Sequence, residues 1–249
     1  IEETSASAPH RDGDWIYQSR IGAGQQYETY HRRPAGGAGE WICFFDTNRE
    51  ADGEEYFDLG LLDVSPDGRL LAYAVDTTGD EACQLRFRDL TTGLDLPGSV
   101  DEVSPEGEWD ASGSWFYFLR EDATRRPDRL YRLRPGRPAR EAVRVHHEPD
   151  PRFHAGIYKS QDGQWLFAVS QSNETIEIHT LRADEPLHDF QCFQPRRAGI
   201  QYWLEHQEGA WLIRTNEEAP DFQLLRRPVE RGDMAAPDCL VPPRPGIRL

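Results

Sequence analysis

The chain has 249 residues, 37% hydrophobic and 11% aromatic, with seven Trp spread along its length, which excludes a mainly disordered chain and leaves room for one large domain. Its formal charge of −16, from 44 acidic against 28 basic residues, sets up a net field that repels a phosphate backbone, so no nucleic-acid partner is expected. No run approaches the roughly 18–20 apolar residues of a spanning helix, and Ile1 to His10 lack a basic start followed by an apolar stretch, so no membrane partner is expected either.

In chain order, the first feature is Asp12-Gly13-Asp14-Trp15-Ile16-Tyr17, an acidic-Gly turn leading into an aromatic strand. Related phrases recur at Pro66-Asp67-Gly68-Arg69-Leu70-Leu71, Asp110-Ala111-Ser112-Gly113-Ser114-Trp115, Gln161-Asp162-Gly163-Gln164-Trp165 and Gln207-Glu208-Gly209-Ala210-Trp211. Marked by Asp12, Asp67, Asp110, Asp162 and Glu208, they lie about 43 to 55 residues apart, the interval of a small four-stranded sheet. Asp-Gly between apolar runs predicts a type I′ hairpin turn, whose two central residues both need positive φ. In the second unit Leu61–Ser65, Leu70–Val75 and Cys83–Leu90 read as strands, with Cys83, Leu85 and Phe87 on one face and Gln84, Arg86 and Arg88 on the other. Gly and Pro interrupt every candidate helix before about ten residues, so helix should be scarce. The predicted fold is therefore all-β, a β-propeller of four-stranded antiparallel blades, with five blades over roughly 10–60, 61–101, 102–150, 151–195 and 196–249. A sandwich is the rival, but its turn signals would recur about every 8 to 12 residues.

The candidate sites are few. Gly22-Ala23-Gly24 and Gly36-Gly37-Ala38-Gly39 do not complete a dinucleotide-binding pattern, and with Lys159 as the only lysine no Walker motif is possible, so both read as loops and no cofactor is expected. His146, His147 and His154, with Glu148 and Asp150 between, are the densest potential ligand group. Pro149 and Pro151 prevent both imidazoles from sharing one helical face, and no metal is expected. The acidic run Glu50-Ala51-Asp52-Gly53-Glu54-Glu55 reads as a solvated loop. Cys43, Cys83, Cys192 and Cys239 lie far apart with no CxxC, and read as buried thiols outside any disulfide, in keeping with a cytoplasmic protein. The nucleophile pattern G-x-S-x-G is absent, so no catalytic residue is expected within the chain. The first residue is Ile rather than Met, which suggests a start inside a longer chain or after trimming.

Taken in order, Val64-Ser65-Pro66-Asp67-Gly68-Arg69-Leu70-Leu71-Ala72-Tyr73, Asp76-Thr77-Thr78-Gly79-Asp80-Glu81, Arg88-Asp89-Leu90-Thr91-Thr92-Gly93, Arg126-Pro127 before Leu130-Tyr131-Arg132, and Arg214-Thr215-Asn216 resemble the N-terminal propeller of the prolyl oligopeptidase family, in particular its oligopeptidase B branch. The opening Asp12 to Arg20, Ala219 to Leu224 and the closing Leu240 to Arg244 extend the likeness over nearly the whole chain. The resemblance implies a seven-bladed propeller that covers a C-terminal α/β-hydrolase domain of the same polypeptide and filters substrates by size. It also implies short peptides, cleaved after basic residues, as substrates. With about five of the seven units present and no triad segment, the sequence reads as part of a longer chain, the alternative being a natural remnant that closes as a smaller ring or pairs with a partner, and no catalytic residue carries over. Asp76 and Glu81 match a family phrase: Glu81 is a candidate ion-pair partner at the domain interface, while the alternative is that both bond turn amides within their blade. Two rival functions stay open, a stand-alone propeller serving as a binding scaffold and a propeller glycosidase drawing on the many carboxylates.

Overall fold

The structure, a computed structural model, describes residues 4–37, 39–229, 236–244, 246, 247 and 249. Ala38, within the second Gly-rich loop, and residues 230–235 of the expected last blade lie outside them. Contacts divide the chain into two compact units, Ile1–Pro105 with Pro135–Arg140 and Glu106–Arg134 with Glu141–Leu249.

In the first unit, β1 (Ser5–Ala6), β3 (Trp15–Ile21), β4 (Thr29–Pro34) and β5 (Ile42–Asp46) form one sheet in that order, and β2 (His10–Asp12) also pairs with β3. A single-turn helix α1 (Thr47–Glu50) follows, capped by the Asp46 carboxylate, which accepts from the Asn48 amide. The next sheet runs β6 (Asp58–Val64), β7 (Leu70–Asp76) and β8 (Cys83–Asp89), with β9 (Leu94–Asp95) and the start of β10 (Val100–Trp109) against β8. In the second unit, the end of β10 opens a sheet with β11 (Phe116–Glu121), β12 (Pro127–Leu133) and β13 (Val143–His147). A sheet of β14 (His154–Lys159), β15 (Trp165–Gln171), β16 (Ile176–Arg182) and β17 (Gln191–Gln194) follows, then one of β18 (Tyr202–Gln207), β19 (Ala210–Thr215), β20 (Gln223–Pro228) and β21 (Asp238–Val241). In these last two sheets every pairing is antiparallel and runs between neighbours in sequence. These four-stranded meanders make the chain a stretch of β-propeller, as its period predicts.

The second strand of each sheet explains the aromatic runs. Leu71–Val75 on β7, Phe116–Leu119 on β11 and Leu166–Val169 on β15 are buried throughout, because both faces of an inner strand are covered. Period-two alternation then sorts one strand into two cores. Leu166 and Ala168 join Tyr117, Leu119, Leu130 and Ile157, whereas Phe167 and Val169 join Ile178, Tyr202, Trp211 and Ile213. On β8, Cys83, Leu85 and Phe87 are buried while Gln84, Arg86 and Arg88 are not, as the sequence implies.

The turns correct the sequence reading. Both central residues have positive φ only at Glu208 (+49°) and Gly209 (+71°) among the five marker turns, so the type I′ geometry is confined to that hairpin. At Asp67-Gly68 and Asp162-Gly163 only the glycine is left-handed, and a side-chain network carries the turn instead. Ser65 Oγ donates to Asp67 Oδ1 (2.6 Å) and accepts from the Leu70 amide (2.9 Å), while Asp67 Oδ1 accepts from the Arg69 amide (3.0 Å). Ser160, Asp162, Gln164 and Trp165 repeat these bonds. In the turn at 110–113 the residues are exchanged: Asp110 accepts from Ser112 Oγ (2.6 Å) and the Trp115 amide (2.8 Å), and Ser112 Oγ accepts from the Ser114 amide. Asp110 is thus equivalent to Ser65, and the glycines are the true register marks. A second correction concerns the cysteines. All four are thiols, but only Cys83 is buried, because Cys43, Cys192 and Cys239 fall on the short, partly exposed last strands β5, β17 and β21.

Candidate functional site

Two places gather functional chemistry, one in each unit. In the first, β7 ends at Asp76, a buried residue whose carboxylate is consumed by the following turn. Oδ1 accepts from the amides of Thr78 (2.8 Å) and Gly79 (2.9 Å) and lies 2.9 Å from the Thr78 hydroxyl, and Oδ2 accepts from the Glu81 amide (2.9 Å). Burial opposes ionisation here, yet these hydrogen bonds outweigh it and hold the carboxyl below the ordinary Asp range. Glu81 enters the left-handed region (φ +66°) to bring its amide to Asp76, and its exposed side chain leaves the turn. Asp76 is thus the turn's organiser and Glu81 the group the turn presents.

In the second unit, the edge strand β14, the tail of β10 and the strand β18 border a cavity of about 540 Å3. His154 to Tyr158 of β14 all border it; of these Ala155 and Ile157 also belong to the buried core, and the Tyr158 ring packs 4.7 Å from that of Phe167. Glu106 faces it from β10 and Trp203 from β18; Gln171, Ser172 and Asn173 complete the polar rim. The Tyr158 hydroxyl donates to the Leu204 carbonyl (2.9 Å) and accepts from the Leu204 amide (3.2 Å), so its ring is fixed in place. Glu106 borders the cavity as an exposed residue. Partial desolvation raises its pKa above the ordinary Glu range, against the Ile157 amide bond that lowers it. Two residues along the same face, Glu108 is paired with Lys159 at 3.2 Å.

The sequence did not single out Glu106, since Pro105-Glu106-Gly107-Glu108 resembles a loop. Gly107 is instead a close-packing residue: a Cβ there would lie 2.4 Å from the Phe116 ring and 2.8 Å from the Tyr117 carbonyl. Alternation of Glu106 and Glu108 with Gly107 and buried Trp109 was the available strand signal.

The three histidines of the densest cluster part company. His154 faces the cavity, His147 lies 3.7 Å from Asp128, and His146 packs beside His179 with ring centroids 4.8 Å apart. His146 Nε2 lies 3.2 Å from Ser170 Oγ, a hydroxyl–imidazole contact of the kind that activates nucleophiles. Ser170 is, however, fully buried on β15, out of reach of any substrate. Ser160, Asp162 and His206 also meet, but Asp162 bonds both others and the serine serves the turn. Burial first, then His179, push the pKa of His146 down to about 4, and burial lowers that of His179.

Meandering four-stranded sheets, a recurrent Gly turn and a cavity bordered by first strands define the chain as propeller, with carboxylates and aromatics at its polar sites. Residues 1–249 match the family described as prolyl oligopeptidase, N-terminal beta-propeller domain. The chain belongs to the prolyl oligopeptidase family and represents its N-terminal propeller, of the oligopeptidase B-like kind. It is 33% identical over 237 residues to Protease 2 of Moraxella lacunata, covering 92% of this chain and 34% of that protein. It is 31% identical to dipeptidyl aminopeptidase BI of Pseudoxanthomonas mexicana, again over 92% of this chain and 34% of that protein. Among solved structures, oligopeptidase B from Leishmania major superposes with a TM-score of 0.89 at 26% identity, over 98% of this chain and 35% of that one. The chain therefore spans about a third of the length of the curated relatives it matches.

Proposed function

We propose that this propeller is the non-catalytic, substrate-gating portion of a serine oligopeptidase that cleaves short peptides after basic residues. The observation that carries the reading is the match to the family's N-terminal propeller over residues 1–249, joined to likeness with oligopeptidase B along 98% of the chain. The catalytic serine, its histidine base and the oxyanion hole belong, on this reading, to a C-terminal α/β-hydrolase domain of the same polypeptide. The propeller's part is to admit an extended peptide and exclude a folded one. The charge of −16 favours approach of basic peptides. Glu81, presented by the Asp76 turn, is the proposed ion-pair partner at the face toward the hydrolase. Four cysteines held as thiols suit a reducing cytoplasm. The test is size discrimination by the full-length protein. A short Arg reporter should be hydrolysed, and the same bond within a folded protein should survive; comparable cleavage of both would remove the gating role.

A further inference from the structure

We propose that the cavity over Glu106 is a subsite for the guanidinium or ammonium group of a basic side chain on an extended peptide. The inference rests on the reading above, in which peptides pass the propeller, and it names the chemistry of one place along the way.

The case begins with an asymmetry on β10. Glu106 and Glu108 lie on one face, two residues apart, and the chain's single lysine, Lys159, neutralises Glu108 at 3.2 Å. No basic side chain among the described residues pairs with Glu106, which receives only the Ile157 amide. Opposite its carboxylate stands Gly156, where a Cβ would lie 3.6 Å from Oε2. Any larger residue there would fill the space over the acid, so the missing side chain leaves a socket with a carboxylate at its wall. A carboxylate without a cationic partner is stabilised by an incoming cation, and the cation exchanges water for a charged hydrogen bond.

The flanking walls suit a planar cation. Tyr158 supplies a ring and Asn173 an amide, while the Trp203 ring already carries the Arg214 guanidinium. The same unit already stacks guanidinium groups on rings: Arg214 lies 4.7 Å from the Trp203 centroid, Arg196 4.2 Å from Phe153 and Arg182 5.4 Å from Trp165. At about 540 Å3 the cavity accommodates an arginine side chain with the backbone that carries it. β14 is the edge strand of its sheet, so its outer main-chain groups border the same space and can engage an extended peptide. That edge favours a peptide over a free amine.

The experiment uses the full-length protein, its serine first blocked by a small phosphonylating reagent, in calorimetric titrations. The probes are acetyl-Ala-Arg-Ala-amide, the neutral acetyl-Ala-citrulline-Ala-amide and agmatine. The Arg peptide should bind about tenfold or more tightly than its citrulline twin, as a charge-assisted contact requires. Glu106→Gln should erase that Glu106-dependent preference, and Gly156→Val, which fills the socket, should weaken the Arg peptide by a similar factor. The preference should grow as pH rises through the range in which Glu106 ionises. An unchanged preference in Glu106→Gln would overturn the proposal, and so would Glu106-dependent binding of agmatine without that of the Arg peptide. Hydrolysis of a short Arg reporter by the unblocked protein separates the two readings. Hydrolysis without Glu106-dependent binding sinks the subsite alone, while binding without hydrolysis sinks the peptidase assignment and leaves the subsite standing.

Discussion

Asp76 shows what a buried carboxylate does when its own turn satisfies it. Its oxygens take the amides of Thr78, Gly79 and Glu81, so Asp76→Ala leaves three donors without their acceptor and should destabilise the fold by about 1–3 kcal/mol, read from denaturant midpoints. An unchanged midpoint would mean that water replaces the carboxylate. The His146–His179 pair gives a pH signature. With a folded-state pKa near 4 against an ordinary 6.5, His146 stays neutral in the fold while the unfolded chain takes up the proton. The unfolded state then binds more protons between these values, so stability falls as pH drops from 6.5 toward 4. Glu148, Glu177 and Ser170 face the pair along with Arg196, and the two glutamates temper the effect. The urea midpoint of His146→Gln should decline less over this interval than that of the parent; equal slopes would contradict the assignment. Asp76 was legible as a residue to watch, because Asp-Thr-Thr-Gly after a strand is turn chemistry. The His146–His179 contact was not, since it joins residues 33 positions apart on strands whose register only the sheets supply.

The repeat turn is the element on which the fold depends, and its chemistry tolerates exchange of its parts. Ser65 with Asp67 and Asp110 with Ser112 make the same bonds with donor and acceptor residues reversed. Ser65→Asp alone sets two carboxylates together and should cost about 1–3 kcal/mol, and Asp67→Ser alone about 1 kcal/mol. The double exchange should return to within about 0.5 kcal/mol of the parent, a coupling that a double-mutant cycle measures. Strictly additive losses would contradict the equivalence. Gly68 is less forgiving: at φ +72°, with Trp15 Nε1 2.5 Å from any added Cβ, Gly68→Ala combines backbone strain with a clash. The sequence announced these turns through Asp-Gly, but it misassigned their geometry. Type I′ is what the dipeptide alone favours, and the Ser hydroxyl five residues before the next strand residue overrides that preference.

At the scale of the molecule, fold and site differ in legibility for a physical reason. Continuous apolar strands, recurrent glycines and scarce helix are properties of local sequence, and they specified an all-β propeller of antiparallel four-stranded sheets before any coordinates. Glu106 acquires meaning only from Gly156, fifty residues away, and from the alternation of two strands that a Pro and a Gly disguise. The same separation applies to the proposed enzyme, whose acid, base and nucleophile lie outside this chain on our reading. The most direct measurement treats the full-length protein with a serine-phosphonylating reagent, follows hydrolysis of an Arg-containing dipeptide reporter, and locates the label by peptide mass mapping. The account expects the reporter to be hydrolysed, the activity to be lost on labelling, and the modified serine to lie outside residues 1–249. Hydrolysis that survives labelling, absence of hydrolysis, or a labelled serine within this propeller would contradict it.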